Sequence, residues 1–330
     1  RLRVSEAERR QAKHDIQHVE DIVIEMLRNA RDAGADKVFL ATTKEDGVRT
    51  LVFLDNGSGV PQDMQERIFD ARVTSKLESM KMDRWGVHGR GMALFSIKQN
   101  TDEARVVTSG VNLGSAFKVS VSTDCLSERA DQSSWPQAVK DEEGRYVCAR
   151  GPHNIIRAAC EFALEELRVC DVYLGSPSEI AATLYAQASS RLDTSRLLFI
   201  DDEGELPVID RLSLASDAED FIRICSGLGL EMSERTAHRV LAGQIKPVRG
   251  VTARLLRERD SSSHAPAPVD LAKDRRGLRI AKDDMAQFSR AVERDFNDLA
   301  ARYYLNLCGD PKIRVSRDRI TVTFDLAKEE

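Results

Sequence analysis

The strongest constraint in this sequence is the fixed order of three short segments between residues 25 and 92. The first is EMLRNARDA at 25–33. On a helix, Glu25 and Asn29 are four apart and Asp32 is three further on. A carboxylate, an amide and a second carboxylate therefore run along one stripe, with apolar residues on the other faces. Such a stripe on an otherwise buried helix is costly unless something binds it. The second segment, DNGSG at 55–59, directly follows a run with strand character. An Asp with two glycines at a strand end makes a tight turn and lets a ligand approach the backbone closely. Its carboxylate can accept a hydrogen bond from an exocyclic amine. The third, GVHGRGM at 86–92, is a glycine-rich loop that opens a helix, where free N–H groups attract phosphate oxygens. It does not follow a strand, and no Lys-Ser/Thr pair follows its last glycine. Neither a dinucleotide fingerprint nor a P-loop fits.

Around these segments, helical patterns alternate with strand pairs. From Ile16 onward, Val19, Val23, Met26, Leu27 and Ala30 fall at helical spacing, and Gly34 marks a stop. Residues 37–42 (KVFLAT) and 49–54 (RTLVFL) predict two strands joined at Asp46-Gly47. Pro61 opens a short helix over 61–70, and 71–90 reads as a long loop. A helix is expected over 91–99 and two more strands over 104–109 and 115–122. The expected fold class is α+β, a sandwich of helices on one face of a mixed sheet.

Taken together, the three segments resemble the nucleotide-binding boxes of the GHKL ATPases, the family of gyrase, the ninety-kilodalton heat-shock chaperones, sensor histidine kinases and MutL. The resemblance implies ATP and Mg²⁺ as ligands. It implies Glu25 as the general base that activates water, Asn29 as the Mg²⁺ ligand and Asp55 as the reader of the adenine amino group, with Asp32 on the same stripe as Glu25 and Asn29. Gly57 and Gly59 would lie against base and ribose. Gly86, Gly89 and Gly91 would form the phosphate lid, together with His88, Arg90 and Met92, and Thr108 would share a water with the adenine.

DAGADKV at 32–38, VTSKL at 73–77 and MALFSI at 92–97 are most similar to the MutL branch. The ATPase subunit of topoisomerase VI comes next, since it also carries a Ser-Lys element in this loop; Lys76 would then help hold phosphate. Two features depart from MutL. Gly91 follows Arg90 where MutL sequences have an acidic residue, and the usual MutL sequence beyond the lid is not obvious. The resemblance covers residues 14–122. A histidine kinase needs a phosphoacceptor His on an upstream two-helix hairpin, for which little chain precedes the first box. His14 and His18 read as helix surface or packing residues. The chaperone branch would bring a long middle domain that is not recognisable here.

The same reading divides the chain into an arm at 1–13, an ATP-binding domain at 14–123, a polar linker or excursion at 124–152, and an α/β region, comparable to a transducer, at 153–330 with a helical insert near 216–259. Within the last, 153–168 reads as a helix, 169–174 and 196–200 as strands, 260–268 as a Ser/Pro linker, and 282–305 as a helix leading into a hairpin around Arg317-Asp318. Gln244-Ile245-Lys246 is similar to the Gln-x-Lys loop of gyrase-type transducers, which supplies a lysine to the γ-phosphate; an ordinary surface lysine is the simpler reading. Residues 232–259 hold seven Lys/Arg against two Glu. A helix-turn-helix-like unit broken near Gly243 and Pro247 would set Arg235, Arg239, Lys246, Arg249, Arg254 and Arg257 near DNA phosphates. A solvated basic helix pair is the plainer alternative. Interleaved aromatics are lacking, so stacking on single strands is not supported.

Composition bounds the rest. The 330 residues suggest two domains at about 150 residues each. Lys plus Arg is 49 against 54 Asp plus Glu, a net charge of −5, so any basic surface is local rather than global. No apolar run approaches the ~20 residues that cross a bilayer, and Arg1–Ser5 carries no apolar signal segment. Six cysteines without a CxxC pair point to a reducing, cytoplasmic setting. Arg1 in place of Met suggests a trimmed chain. No nuclease-type metal cluster is visible. The expected function is an ATP-gated, dimerising component of a DNA-processing system of the MutL or topoisomerase VI kind, with room for a separate catalytic partner. The alternative is a nucleotide-dependent protein-remodelling or signalling ATPase that does not bind DNA. Nucleotide binding without hydrolysis is a third reading, against which Glu25 argues.

Overall fold

The computed structural model describes residues 6–71, 81–83, 86–88, 92–191, 202–256, 282–300, 302–303, 305–309, 311–315 and 320–328. The chain divides into two compact units, residues 1–263 and 264–330.

The first unit is organised by one mixed sheet of five strands. Its members are β1 (Lys37–Glu45), β2 (Val48–Asp55), β5 (Glu103–Ser109), β6 (Ser115–Ser122) and β9 (Asp171–Gly175). Their order is β5-β6-β2-β1-β9; β9 runs parallel to β1 and every other pair is antiparallel. Asp46 and Gly47, both at positive φ, make the β1–β2 turn that the Asp-Gly pair predicts. Two short strands, β3 (Lys81–Asp83) and β4 (Gly86–His88), pair with each other within the stretch read as a loop. Residues 61–70 form two 3₁₀ turns, Gln62–Met64 and Arg67–Phe69, rather than one helix.

Strand alternation sends successive side chains to opposite faces, and both faces are covered. On the first, Val38, Leu40, Leu51, Phe53, Phe117, Val119 and Val172 pack against α2 (Val19–Asp32), α3 (Ala93–Asn100) and α4 (Ile155–Glu165) through Ile22, Leu27, Ile97 and Phe162. Helix α1 (Glu6–Asp15) lies on α3, where Asn100 Nδ2 donates to the Ala12 carbonyl at 2.9 Å. On the second face, Phe39, Ala41, Val52, Leu54 and Ala116 meet Ile180 and Leu184 of α5 (Pro177–Arg191), a 3₁₀ segment Val208–Leu214, α6 (Ala218–Gly227) and α7 (Glu234–Leu241). Each fully buried Phe or Leu contributes roughly 1.5–3 kcal/mol. A one-residue slip in any strand would exchange the two apolar sets, which pins the register.

The expected helix layer is therefore present on one face. The sequence assigns residues from 153 onward to a following α/β region. In the structure α4 and β9 instead complete the first face and the sheet itself, and α5 to α7 cover the second. The polar stretch 124–152 contains a hairpin, β7 (Gln137–Lys140) with β8 (Tyr146–Arg150). It is docked by Leu126 and Cys148, which join the first-face core, and by polar contacts that a hydrophobic pattern does not reveal. Glu128 pairs with Arg49 at 2.7 Å and Lys44 at 2.9 Å, and Glu20 Oε1 accepts from the Arg129 N–H and Gln132 Nε2.

All six cysteines are free thiols. Among the described residues no helix is long and apolar enough to cross a membrane. The second unit carries α8 (Lys282–Ala300) and two strand pairs, β10 (Leu305–Leu307) with β13 (Leu326–Lys328) and β11 (Lys312–Val315) with β12 (Ile320–Thr323), with Phe296 stacked on Phe324. The strand expected at 196–200, the 260–268 linker and the Arg317-Asp318 turn lie outside the described residues.

Candidate functional site

Helix α2 carries the first segment. Its start is fixed by Asp21, whose Oδ2 accepts the N–H groups of Gln17 and His18 at 2.8 Å each. Its end is fixed by Gly34 at φ +78°, whose N–H reaches the Arg31 carbonyl at 2.8 Å. Apolar residues fill one side of the helix, while Glu25, Asn29 and Asp32 stay half-buried along the other. Glu25 Oε1 accepts from Arg28 Nη1 at 2.6 Å, and that guanidinium is almost wholly buried. Asp32 Oδ1 accepts from Arg31 Nε at 3.0 Å, and Arg31 Nη1 reaches Glu166 at the end of α4. The Asn29 side-chain nitrogen is buried with no hydrogen-bond partner among the described residues. Leaving such a group unpaired costs about 1–3 kcal/mol. An amide poised in this way beside a carboxylate suits a polar ligand.

Asp55 ends β2 on the same face of the sheet and is 4% exposed. Burial pushes its pKa up to about 7, against the opposing pull of the Gly57 and Ser115 backbone N–H groups. The Gly57 N–H lies 2.8 Å from Oδ1. The turn after Asp55 is clamped on two sides. Asn56 Oδ1 caps the backbone N–H groups of Asp36 and Lys37, and the Ser58 N–H donates to the Ala33 carbonyl at 2.8 Å. On the other side the Asn112 N–H donates to the Ser58 carbonyl at 2.7 Å. A Cβ at Gly57 would meet Ala33 at 2.9 Å, and one at Gly59, at φ +69°, would sit 1.9 Å from the Gly110 carbonyl oxygen. The two glycines are thus required by squeezing between the last turn of α2 and the β5–β6 hairpin.

Two residues that sequence reasoning missed complete this end of the sheet. Ser115 stands opposite Asp55 in the ladder, and Ser109 stands opposite Ser115. The Ser109 hydroxyl donates to the Gly114 carbonyl at 2.9 Å. Its single proton being so used, it accepts from the Ser115 hydroxyl at 3.0 Å and from the Val60 N–H at 2.7 Å. The signal that was available is the position of Ser115, straight after Gly114 at the start of a strand.

Thr108, expected on the adenine side, faces the other way. A register shift in β5 sets Val106 opposite Phe117 but Thr108 opposite Ala116. The inserted residue turns Thr108 onto the second face, where its Oγ1 accepts from Arg211 Nη1 at 2.8 Å. Strict alternation along β5 does not reveal the bulge.

At the third segment, Gly86 and His88 belong to β4, with backbones paired to Asp83 and Lys81. Met92 is half-buried, and its carbonyl accepts the Ser96 N–H at 2.7 Å as α3 begins. Lys76, Gly89, Arg90, Gly91 and Arg257 lie outside the described residues.

Among the described residues, the basic side chains after 232 are divided between the two sides of the sheet. Arg235 and Arg239 are exposed on α7, over the second face. The chain then rounds the β9 edge: the Val248 N–H donates to Thr183 on α5, and Gly250 bridges to Tyr173. Val251 and Leu255 of the helical segment 251–256 pack into the first face. Arg254, on that segment, stacks its guanidinium 4.0 Å over the Trp135 ring. Lys246 and Arg249 are exposed on the crossing loop. The two helices expected to form a helix-turn-helix-like pair therefore lie on opposite sides of the sheet.

With this geometry in view, residues 16–139 match the family described as histidine kinase-, DNA gyrase B-, and HSP90-like ATPase. Two curated relatives are DNA mismatch repair proteins MutL. That of Thermodesulfovibrio yellowstonii is 34% identical over 89 residues, 26% of this chain and 16% of the relative. That of Chlorobium phaeobacteroides is 32% identical over 124 residues, 37% of this chain and 19% of the relative. The chain thus spans less than a fifth of the length of either. A crystal structure of full-length ShkA in complex with AMPPNP aligns over 52% of this chain and 32% of that one at 19% identity, with a TM-score of 0.25, too loosely to bear on the argument. Residues 16–139 carry a GHKL ATPase domain. Within that superfamily the chain stands near MutL.

Proposed function

We propose that this chain binds ATP with Mg²⁺, hydrolyses it, and uses the cycle to close and reopen a pair of subunits in a DNA-processing system. The observation that carries the nucleotide reading is Asp55, a buried carboxylate on the face of the sheet that bears the Glu25–Asn29 stripe, beside a glycine turn pressed against α2. Ionised, Asp55 accepts a hydrogen bond from the adenine amino group. Glu25 takes a proton from the attacking water, and Arg28 holds that carboxylate in place. Asn29 would hold Mg²⁺ through its side-chain oxygen, while its buried amide nitrogen, without a partner among the described residues, suits a bound acceptor such as a phosphate oxygen. The ion, when bound, neutralises charge between the phosphates. Gly86–Met92 and Lys76 are assigned to the phosphates. Binding energy from the γ-phosphate drives the gating.

The DNA step is supported by the names of the MutL relatives. The distribution of the basic residues favours a second reading. With Arg235 and Arg239 on one face and Arg254 stacked on Trp135, the run 232–259 is not a continuous phosphate track, and a protein client fits equally. Turnover by the wild type and Glu25→Ala, with and without duplex DNA, separates the two. Glu25-dependent turnover stimulated by DNA supports the DNA machine, whereas Glu25-dependent turnover indifferent to DNA supports a protein client. Turnover indifferent to Glu25 overturns the catalytic assignment.

A further inference from the structure

The 3₁₀ segment Val208–Leu214 lies on the second face of the sheet, away from α2, yet it grips the strand end that frames Asp55. Arg211 is 7% exposed, in a setting whose burial pulls its pKa below the usual guanidinium range. Its guanidinium is spent on two groups: Nε donates to the Leu206 carbonyl at 3.2 Å and Nη1 to Thr108 Oγ1 at 2.8 Å. The Val208 N–H donates to the Leu113 carbonyl at 2.8 Å, a second tie to the same hairpin. Thr108 sits on the bulge, and the next residue, Ser109, turns back to the first face. There Ser109 joins Ser115, Gly114 and Val60, three groups that flank Asp55 and the Gly59 turn. The bulge is thus a two-sided peg, with Arg211 holding one side and the Asp55 surround resting on the other. Among the described residues Thr108 is its side-chain acceptor, with the charges of Glu203 and Asp202 nearby; burying an arginine is costly, and this one is placed at the irregular point of β5.

We propose that Arg211 is a positioning residue for the base-binding end of the nucleotide site, acting through Thr108 and the β5 bulge on Ser109, Ser115 and Asp55. The second-face layer then sets how well the pocket reads the adenine amino group. This inference rests on Asp55 as the adenine reader. It is distinct from the chemistry at Glu25, which stands on α2.

Calorimetric titration with ADP and with IDP, which carries a 6-oxo group in place of the amino group, tests it without hydrolysis. The wild type is expected to prefer ADP by about tenfold or more, because a site built for an N–H donor rejects the analogue that lacks it. Asp55→Asn tests the underlying reading: if it retains full ADP preference, that reading falls. Thr108→Val removes the Arg211 acceptor with little change of shape. It is expected to weaken ADP binding about fivefold, in the range of ordinary coupling between sites, while IDP binding changes little. Arg211→Met should match it, and the double variant should add nothing further. Thr108→Ser, which keeps the hydroxyl, should restore the wild-type preference. Should Arg211→Met fail to fold, the Thr108 pair alone decides. If Asp55→Asn loses the ADP preference but Thr108→Val keeps it, or weakens both nucleotides equally, the inference is overturned and Arg211 is structural only.

Discussion

The two faces of the central sheet bury similar apolar sets but treat their polar groups differently. On the second face, buried polar side chains are paired within the protein: Arg211 with Thr108 and Leu206, and Asp210 with Arg191. On the first, only backbone N–H groups oppose the burial of Asp55, and Asn29 keeps a buried nitrogen without a partner among the described residues. Satisfied polar groups fasten a layer, whereas under-satisfied ones mark where a ligand belongs. The contrast agrees with the nucleotide site proposed on the α2 face, although other buried polar groups there, such as Arg49 with Glu128 and Arg157 with Glu161, are paired as on the second face.

The comparison can be broken most directly at Glu25. Glu25→Ala should lower phosphate release by about a hundred- to ten-thousand-fold, the usual yield of a positioned general base, while ADP binding persists. Unimpaired release would remove the catalytic role from the α2 face. Next in size is Phe221→Ala on the second face, where the ring is fully buried. It should cost about 3–5 kcal/mol in chemical denaturation, with turnover per folded molecule at saturating ATP unchanged. A fall in that turnover would show that the second layer does more than support.

The pH dependence sharpens the contrast. Asp55 titrates at about 7 in the folded chain against 3.8 for the ordinary group. Between those values the native state holds a proton that the unfolded chain has lost. This group therefore favours the fold at low pH, and that contribution is lost as pH rises toward 7. Nucleotide binding runs the other way, because the acceptor must be ionised. ADP affinity measured by calorimetry should fall about tenfold per pH unit below 7, and Asp55→Asn should lose that slope. A wild-type profile as flat as that of Asp55→Asn would sink the assignment. The smallest effect is expected from Arg235, Arg239 and Arg249 changed together to Ala. Split by the sheet edge from Arg254, they should alter retention on duplex DNA at moderate salt only about two- to threefold, well below the effect of a continuous phosphate track. A loss of a hundredfold would restore the single-patch reading.

Much of the local geometry around the proposed site was legible because it depends on residues close in sequence. The Glu25–Asn29–Asp32 stripe follows from helical spacing, and DNGSG after RTLVFL follows from the needs of a strand-end turn. The strands read at 37–42, 49–54 and 115–122 fall within the observed 37–45, 48–55 and 115–122, and α2 was readable from its 3.6-residue period. Thr108 was not, since one inserted residue reverses a strand's facing without altering its composition. The docking of 124–152 escaped too, because its core residues Leu126 and Cys148 are too isolated to make a pattern and ion pairs such as Glu128 with Arg49 leave no periodic mark.

The sequence by itself determined α2, the main strand pair and the Asp-Gly turn between them, all of which depend on neighbours along the chain; the need for glycine at 57 and 59 comes from Ala33 and Gly110, which only the fold brings near. Tertiary structure alone decided that β9 completes the same sheet, that residues 177–241 seal its second face, and that the basic run is parted by the sheet edge. Each of these depends on which apolar surfaces meet across long chain separations. Burial against a distant partner is a property of the folded chain, not of any window within it.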